Sequence, residues 1–209
     1  MNSLYPPFLP LPAPSRRKVF VSYHHQKDQH YANLLRFVYS MSDTFIDRSL
    51  PKELASDDDD YILSIIRTQH LKTSTITIVL IGEETWSRKW VDWEIYSSLR
   101  PYKLRTVNGL LGIILPSATY LPPRFALNYS ETKLGNGTIQ TGYARLINWG
   151  LIAPPPLPSF MNPIEKLSYH QILNERKKTL KTWIDMAFLN RSKTNLINNT
   201  MDRFKDNLI

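Results

Sequence analysis

Apolar positions in this chain come as short β-branched runs separated by stretches with helical spacing. Lys18 to Tyr23 (KVFVSY) follows a basic, proline-rich lead and predicts a buried first strand. Tyr31, Leu34, Leu35 and Val38 then recur with a helical period, and Asp28 lies near the start of that stretch, where a carboxylate suits the helix dipole. Thr44 to Ile46 predicts a second, short strand. Asp47 to Asp57 contains Pro51 and little periodicity, so it predicts a loop into a helix through Tyr61, Ile62, Ile65 and Ile66. The aspartates Asp57 to Asp60 at the head of that helix are explained by capping and dipole rather than by a metal, because contiguous carboxylates point in different directions. Thr75 to Ile81 (TITIVLI) is the clearest central strand, and Gly82 ends it. A helix follows with Val91, Ile95, Leu99 and Tyr102 on one face and Pro101 near its end. Gly109 to Leu115 reads as a fourth strand, and Tyr143 to Trp149, after a proline-rich loop, supplies a fifth.

Strands alternate with helices up to the fourth strand, which predicts an α/β fold with right-handed crossovers. The expected architecture is flavodoxin-like: three layers, α/β/α, around a five-stranded mainly parallel sheet, plus a C-terminal helical extension. Pro154 to Pro158 punctuates the chain before an amphipathic stretch through Ile164, Leu167, Ile172, Leu173, Leu180, Trp183, Ile184 and Phe188, expected to form a final helix on the sheet. The last twenty residues are rich in Asn and lack a sustained apolar face, so they read as peripheral. Three segments result: a proline-rich tail over 1–17, an α/β domain over 18–158, and a C-terminal helix with peripheral tail over 159–209.

Composition narrows the classes. With 209 residues, 42% hydrophobic and 21% charged, the chain fits one globular core with decoration. It has no cysteine, which excludes disulfides, thiolate metal sites and a cysteine nucleophile, and leaves the cytoplasm as the default location. No apolar run reaches the roughly 18–20 residues of a membrane span. Met1 to Pro14 carries five prolines and no basic lead, which argues against a signal peptide. A formal net charge of +8 favours anionic ligands. Its lysines and arginines are scattered, however, and the densest group, Arg176, Lys177, Lys178 and Lys181, is interleaved with Glu175 and Asp185, a solvated helix face rather than a nucleic-acid surface.

In an open sheet of this order, ligands bind outside the carboxyl ends of the strands, where the first and third strands diverge. That rule selects Ser22, Tyr23 and His24 after the first strand, Asp47 and Ser49 after the second, and Gly82 to Trp90 after the third. The segment Thr85 to Ile95 (TWSRKWVDWEI) gathers Trp86, Trp90 and Trp93 around Glu94. Trp90 and Glu94 are four apart, so on a helix an aromatic ring borders the carboxylate.

KVFVSY with its polar loop and helix, followed by IVLIGEETWSRKWVDWEI, resembles the TIR superfamily. The second string is similar to that family's W-C-x-x-E box, with Val91 in place of the cysteine. SYHHQKDQ, WVDWEI, GLLGIIL, PRFALNY and GYARLINW further resemble the TIR-like subunit of bacterial Thoeris antiphage systems, over about Lys18 to Trp149. The resemblance implies an enzyme, an NAD+ nucleosidase or ADP-ribosyl cyclase, that breaks the nicotinamide–ribose bond with Glu94 as catalytic carboxylate. NAD+ is then the substrate, with no further cofactor and no metal. A cyclic ADP-ribose-type product would diffuse to a separate NAD-depleting effector, and a phage-derived trigger and homo-oligomerisation are compatible with such a system. Ser22, Tyr23, His24, Asp47, Ser49, Trp86 and Trp90 are the pocket residues that strand-end position and the tryptophan cluster offer.

Other readings of the same topology fit less well. A receiver domain needs an acidic pair after the first strand, where this chain has Ser22, Tyr23, His24 and His25. A nicotinamide-dependent oxidoreductase needs a glycine-rich turn there, and none of the seven glycines lies in that loop. His24, His25 and His30 lack the paired spacing of a zinc site. The alternative from another class is a non-catalytic TIR-like scaffold that signals through protein contacts.

Overall fold

The computed structural model describes residues 16–40, 45–47, 58–134, 137–156 and 162–208. The proline-rich tail through Ser15, Ser49 and most of the 47–57 loop lie outside the described residues. Five strands, β1 (Arg17–Ser22), β2 (Phe45–Asp47), β3 (Ile76–Ile81), β4 (Gly109–Ile114) and β7 (Arg145–Asn148), form one sheet in the order β2-β1-β3-β4-β7. Every pairing in it is parallel. This is the flavodoxin-like order, with β1 and β3 adjacent at the centre and their connections leaving to opposite sides. All six residues of β3 are buried. A polar member of that strand, Thr77, is satisfied by Ser98 at 2.6 Å and by the Asn108 amide at 3.1 Å.

The period of two along the strands sorts the core. Val19, Val21, Ile76, Ile78 and Ile113 face α1 (His25–Leu35) and α5 (Pro163–Leu189). Val79, Ile81 and Leu110 face α3 (Lys89–Ser98) and the short α4 (Pro123–Ala126). Phe20 joins Trp93 and the Ile62, Leu63 and Ile66 side of α2 (Asp59–Ile65), whose chain continues as a π-helical turn to His70. Asp58 accepts the Tyr61 amide at 3.0 Å, the capping role its position suggested. No described helix is long and apolar enough to cross a membrane.

Three features depart from the sequence pattern. In α1 and the π-helical turn that continues it over Arg36–Ser40, the buried stripe is Asp28, Ala32, Leu35 and Tyr39, while Leu34 lies toward solvent. Asp28 is thus a core residue as well as a first-turn acid. It fits because Gly82 presents no side chain, since a Cβ there would meet Asp28 Oδ1 at 2.3 Å. A two-stranded antiparallel hairpin, β5 (Glu131–Leu134) and β6 (Gly137–Gln140), stands apart from the sheet, and its exposed polar residues gave no alternating apolar signal.

The third departure is the C-terminus. Asn162 opens α5 with a full capping box to Glu165. A 27-residue helix is about 40 Å long whereas a six-residue strand spans about 20 Å, so only the half with Leu180, Ile184 and Ala187 packs on the sheet. Ile164 and Leu167 project into solvent. The last twenty residues, read as peripheral, instead return across α3 and α4 as a strap. Apolar periodicity could not show this, because the strap is held by hydrogen bonds from Asn side chains and backbone groups to buried charges.

Candidate functional site

The chain leaves the core at the carboxyl end of β1 with three consecutive polar or aromatic residues. Ser22 is buried on the Phe20 face of the strand, and its hydroxyl has no hydrogen-bond partner. Tyr23 packs on the opposite face, gives its hydroxyl to Gln29 at 3.0 Å and stacks on His25 with ring centroids 4.4 Å apart. His24 caps α1 by accepting the Lys27 amide through Nδ1 at 3.2 Å. Its burial, and then the positive charge of Arg88, lower its pKa below the usual imidazole value. Its Nε2 is buried with no hydrogen-bond partner, the Glu84 carboxylate lying 3.5 Å away.

At the carboxyl end of β3 five acidic side chains lie close in sequence or space, and four are committed; the exposed Glu83 pairs with Lys27 at 3.1 Å. Asp28 sits under Gly82 and accepts the Thr85 hydroxyl at 3.1 Å, and burial raises its pKa. Glu84 is shared by Lys27 and Arg88; the Lys27 hydrogen bond lowers its pKa most, against desolvation, and Arg88 adds to the effect. Asp92 is buried and forms a bidentate pair with Arg124 at 2.7 and 3.1 Å. Glu94 differs. Its side chain is only 13% exposed, yet among the described residues its polar neighbour is His70 Nδ1 at 3.7 Å, beyond hydrogen-bond length. His70 is itself buried against Phe20, with ring centroids 5.7 Å apart.

The strap completes this end of the molecule. Arg124 uses all five of its N–H groups: two on Asp92 and the others on Asn199 Oδ1, Met201 O and Asp202 O at 2.7–2.9 Å. Asp92 Oδ2 also accepts the Phe204 amide, and Trp93 Nε1 donates to Phe204 O at 2.8 Å. Asn207 Oδ1 then accepts the Lys89 amide at 3.0 Å, and Leu208 N reaches Ser87 O. A cavity of ≈ 190 Å³ opens where the strap meets β1, lined by Tyr23, His24, His25, Arg88, Trp90 and Asn207 among others.

Residues 20–120, which span β1 through the loop after β4, match the family described as Thoeris protein ThsB, TIR-like domain. This segment is similar to that family. A search of the curated proteins finds no match.

Within the matched segment the structure brings Tyr23, His24 and Trp90 together around one cavity, while Ser22 is buried at the end of β1 and is not among its lining residues. Glu94 follows Trp90 by one helical turn on α3 but does not line that cavity; its carboxylate lies toward His70. Trp86 is not among that cavity's lining residues. Its ring packs edge-on against Tyr120, centroids 5.6 Å apart, because Thr85 to Ser87 turns as a short 3₁₀ helix before α3 begins. Asp47 ends β2 in register with Val19, and Ser49 lies outside the described residues. Sequence reasoning did not single out Arg88, Asn207 or His70. Arg88 lay inside the tryptophan segment and was legible there, whereas Asn207 is more than a hundred residues away and carried no local signal.

Proposed function

We propose that the protein cleaves NAD+ at the nicotinamide–ribose bond and releases a cyclic ADP-ribose-type signal for a separate effector in antiphage defence, with Glu94 as the catalytic carboxylate. The observation that carries this reading is the state of the acids around α3. Asp28, Glu83, Glu84 and Asp92 are each held by a specific partner, while Glu94 is mostly buried and, among the described residues, has His70 Nδ1 as its polar neighbour at 3.7 Å, beyond hydrogen-bond length. A carboxylate kept out of water without a hydrogen-bond partner is poised to interact with positive charge that develops beside it. The ThsB family match adds that this segment lies within a domain type tied by name to the Thoeris system.

One carboxylate is enough for such a reaction. Glycosidases use two because their leaving groups need protonation. Nicotinamide leaves NAD+ as a neutral molecule, so a general acid is unnecessary. Glu94 would bond the ribose hydroxyls, fixing the sugar, and its charge would stabilise the cation that grows at the anomeric carbon. A cyclic product forms when the adenine or a hydroxyl of the same ADP-ribose captures that cation before water does.

The test is nicotinamide release by wild type and Glu94→Gln, in cells exposed to phage and with purified protein, beside their melting curves. Gln keeps the size and hydrogen-bonding capacity and deletes the charge. The expected loss is about 100- to 1,000-fold in rate, the scale of about 2.7–4 kcal/mol found for one preorganised electrostatic group, with melting temperature held. Wild-type turnover in Glu94→Gln refutes the assignment. Protection by wild type without any nicotinamide release would make the protein a scaffold instead.

A further inference from the structure

Two residues lining the cavity beside α3, His24 and Arg88, each carry a buried nitrogen without a hydrogen-bond partner. His24 accepts through Nδ1 and is held toward its neutral form, so its proton resides on Nε2, the buried atom without a hydrogen-bond partner. Arg88 gives one amino group to Glu84, and its Nε is buried without a partner. Asn207 commits its carbonyl oxygen to the Lys89 amide, which leaves its NH2 group as a donor. No side chain of Arg88 caps α3, so the cap comes from the strap. Trp90 and Val91, in the first turn, also line the cavity, and first-turn N–H groups have no acceptor inside their own helix. The helix dipole adds positive potential at the same place. Opposing it, the Glu84 carboxylate lies 3.5 Å from His24 Nε2 but is already shared between Lys27 and Arg88.

We propose that this cavity is a phosphate subsite at the N-terminus of α3, with Arg88 and Asn207 of the C-terminal strap as its specificity-determining donors. Its ≈ 190 Å³ is smaller than the roughly 300–1,000 Å³ of sites that enclose a whole drug-sized ligand, so it takes a fragment of one. Resting on the NAD+ reading above, the fragment is the pyrophosphate of the dinucleotide. Glu94 lies five residues farther along the helix, a rise of ~7.5 Å, which leaves room for a ribose between the phosphate and the carboxylate. The stacked Tyr23–His25 pair and Trp90 give the remaining wall an aromatic character suited to a nucleoside.

The experiment titrates ADP-ribose, inorganic pyrophosphate and nicotinamide riboside into the full-length protein by calorimetry. Wild type is compared with Asn207→Asp and Arg88→Gln. Asp at 207 retains the oxygen that caps Lys89 and suits the helix dipole, so folding is preserved while the donor is replaced by a negative charge. Expected is a loss of about tenfold or more in ADP-ribose affinity for each variant, an unchanged melting temperature for Asn207→Asp, and riboside binding that the variants do not alter. ADP-ribose affinity equal to wild type in Asn207→Asp, or riboside bound as tightly as ADP-ribose by wild type, overturns the subsite even if NAD+ is cleaved. Pyrophosphate bound as tightly as ADP-ribose keeps the subsite and overturns its assignment to a dinucleotide. A wild type that binds ADP-ribose through Asn207 yet releases no nicotinamide keeps the subsite and sinks the proposed function.

Discussion

Asp28 bears a carboxyl group in a place that disfavours its charge. Desolvation raises its pKa in the folded protein, against the Thr85 hydrogen bond and the neighbouring His24. A raised native pKa means that the folded state holds a proton which the unfolded chain releases. Stability from this group is therefore present below the unfolded carboxylate value of about 3.9 and is lost as pH rises through the native value. Asp28→Asn keeps an acceptor for Thr85 and removes the charge, so its melting temperature at pH 7 should equal or exceed wild type, with the advantage shrinking toward pH 4. A lower melting temperature at pH 7 would show that the ionised carboxylate serves the fold. At this scale the sequence was informative where a residue's position follows from its neighbours in the chain. The placement of Glu94 one helical turn after Trp90, and of Tyr23 and His24 at a strand end, was legible in that way. The burial of Asp28 depends on Gly82, and the commitment of Asp92 depends on Arg124, both fixed by tertiary contact alone.

Between elements, α5 approaches the sheet as closely as backbone allows. At Gly109, the first residue of β4, a Cβ would lie 2.2 Å from the Ala187 carbonyl oxygen. Arg17 ties the same helix to β1 through Asp185 at 2.9 Å and lies over the Phe188 ring. Gly109→Ala must push helix and strand apart, and overpacking of this kind costs about 1–3 kcal/mol. Chemical denaturation should show that loss, with nicotinamide release, if present, falling no more than stability does. An unchanged midpoint would mean that the helix shifts freely. Most of the strands were readable because they are short apolar runs bounded by helical periods or turn residues, and their alternation with helices pointed to the order. The hairpin was not, being polar on both faces, and the exposed half of α5 was not, because an amphipathic pattern does not reveal how long the partner surface is.

Across the whole molecule, the strap is the connection that joins the end of the chain to the centre of the fold. Its anchor is the Asp92–Arg124 pair, 3% and 0% exposed, whose remaining side-chain hydrogen bonds among the described residues go to residues 199–204. Arg124→Ala leaves Asp92 buried without its counter-ion, a loss of about 3–5 kcal/mol. For a chain of this size that corresponds to a fall of about 6–20 °C in melting temperature. Limited proteolysis should then cut within 198–208, where wild type resists; resistance in the variant would mean that the strap is held by other contacts. None of this was visible in the apolar pattern, since Arg124 satisfies the strap's carbonyls and the strap satisfies Arg124. Because Leu208 is seated on Ser87 beside the cavity, a reporter or affinity handle fused after it would emerge at the mouth of the candidate site. Arg17 begins β1 at the other end of the strand from Tyr23, so the same handle joined ahead of it would enter the fold across the sheet from that mouth.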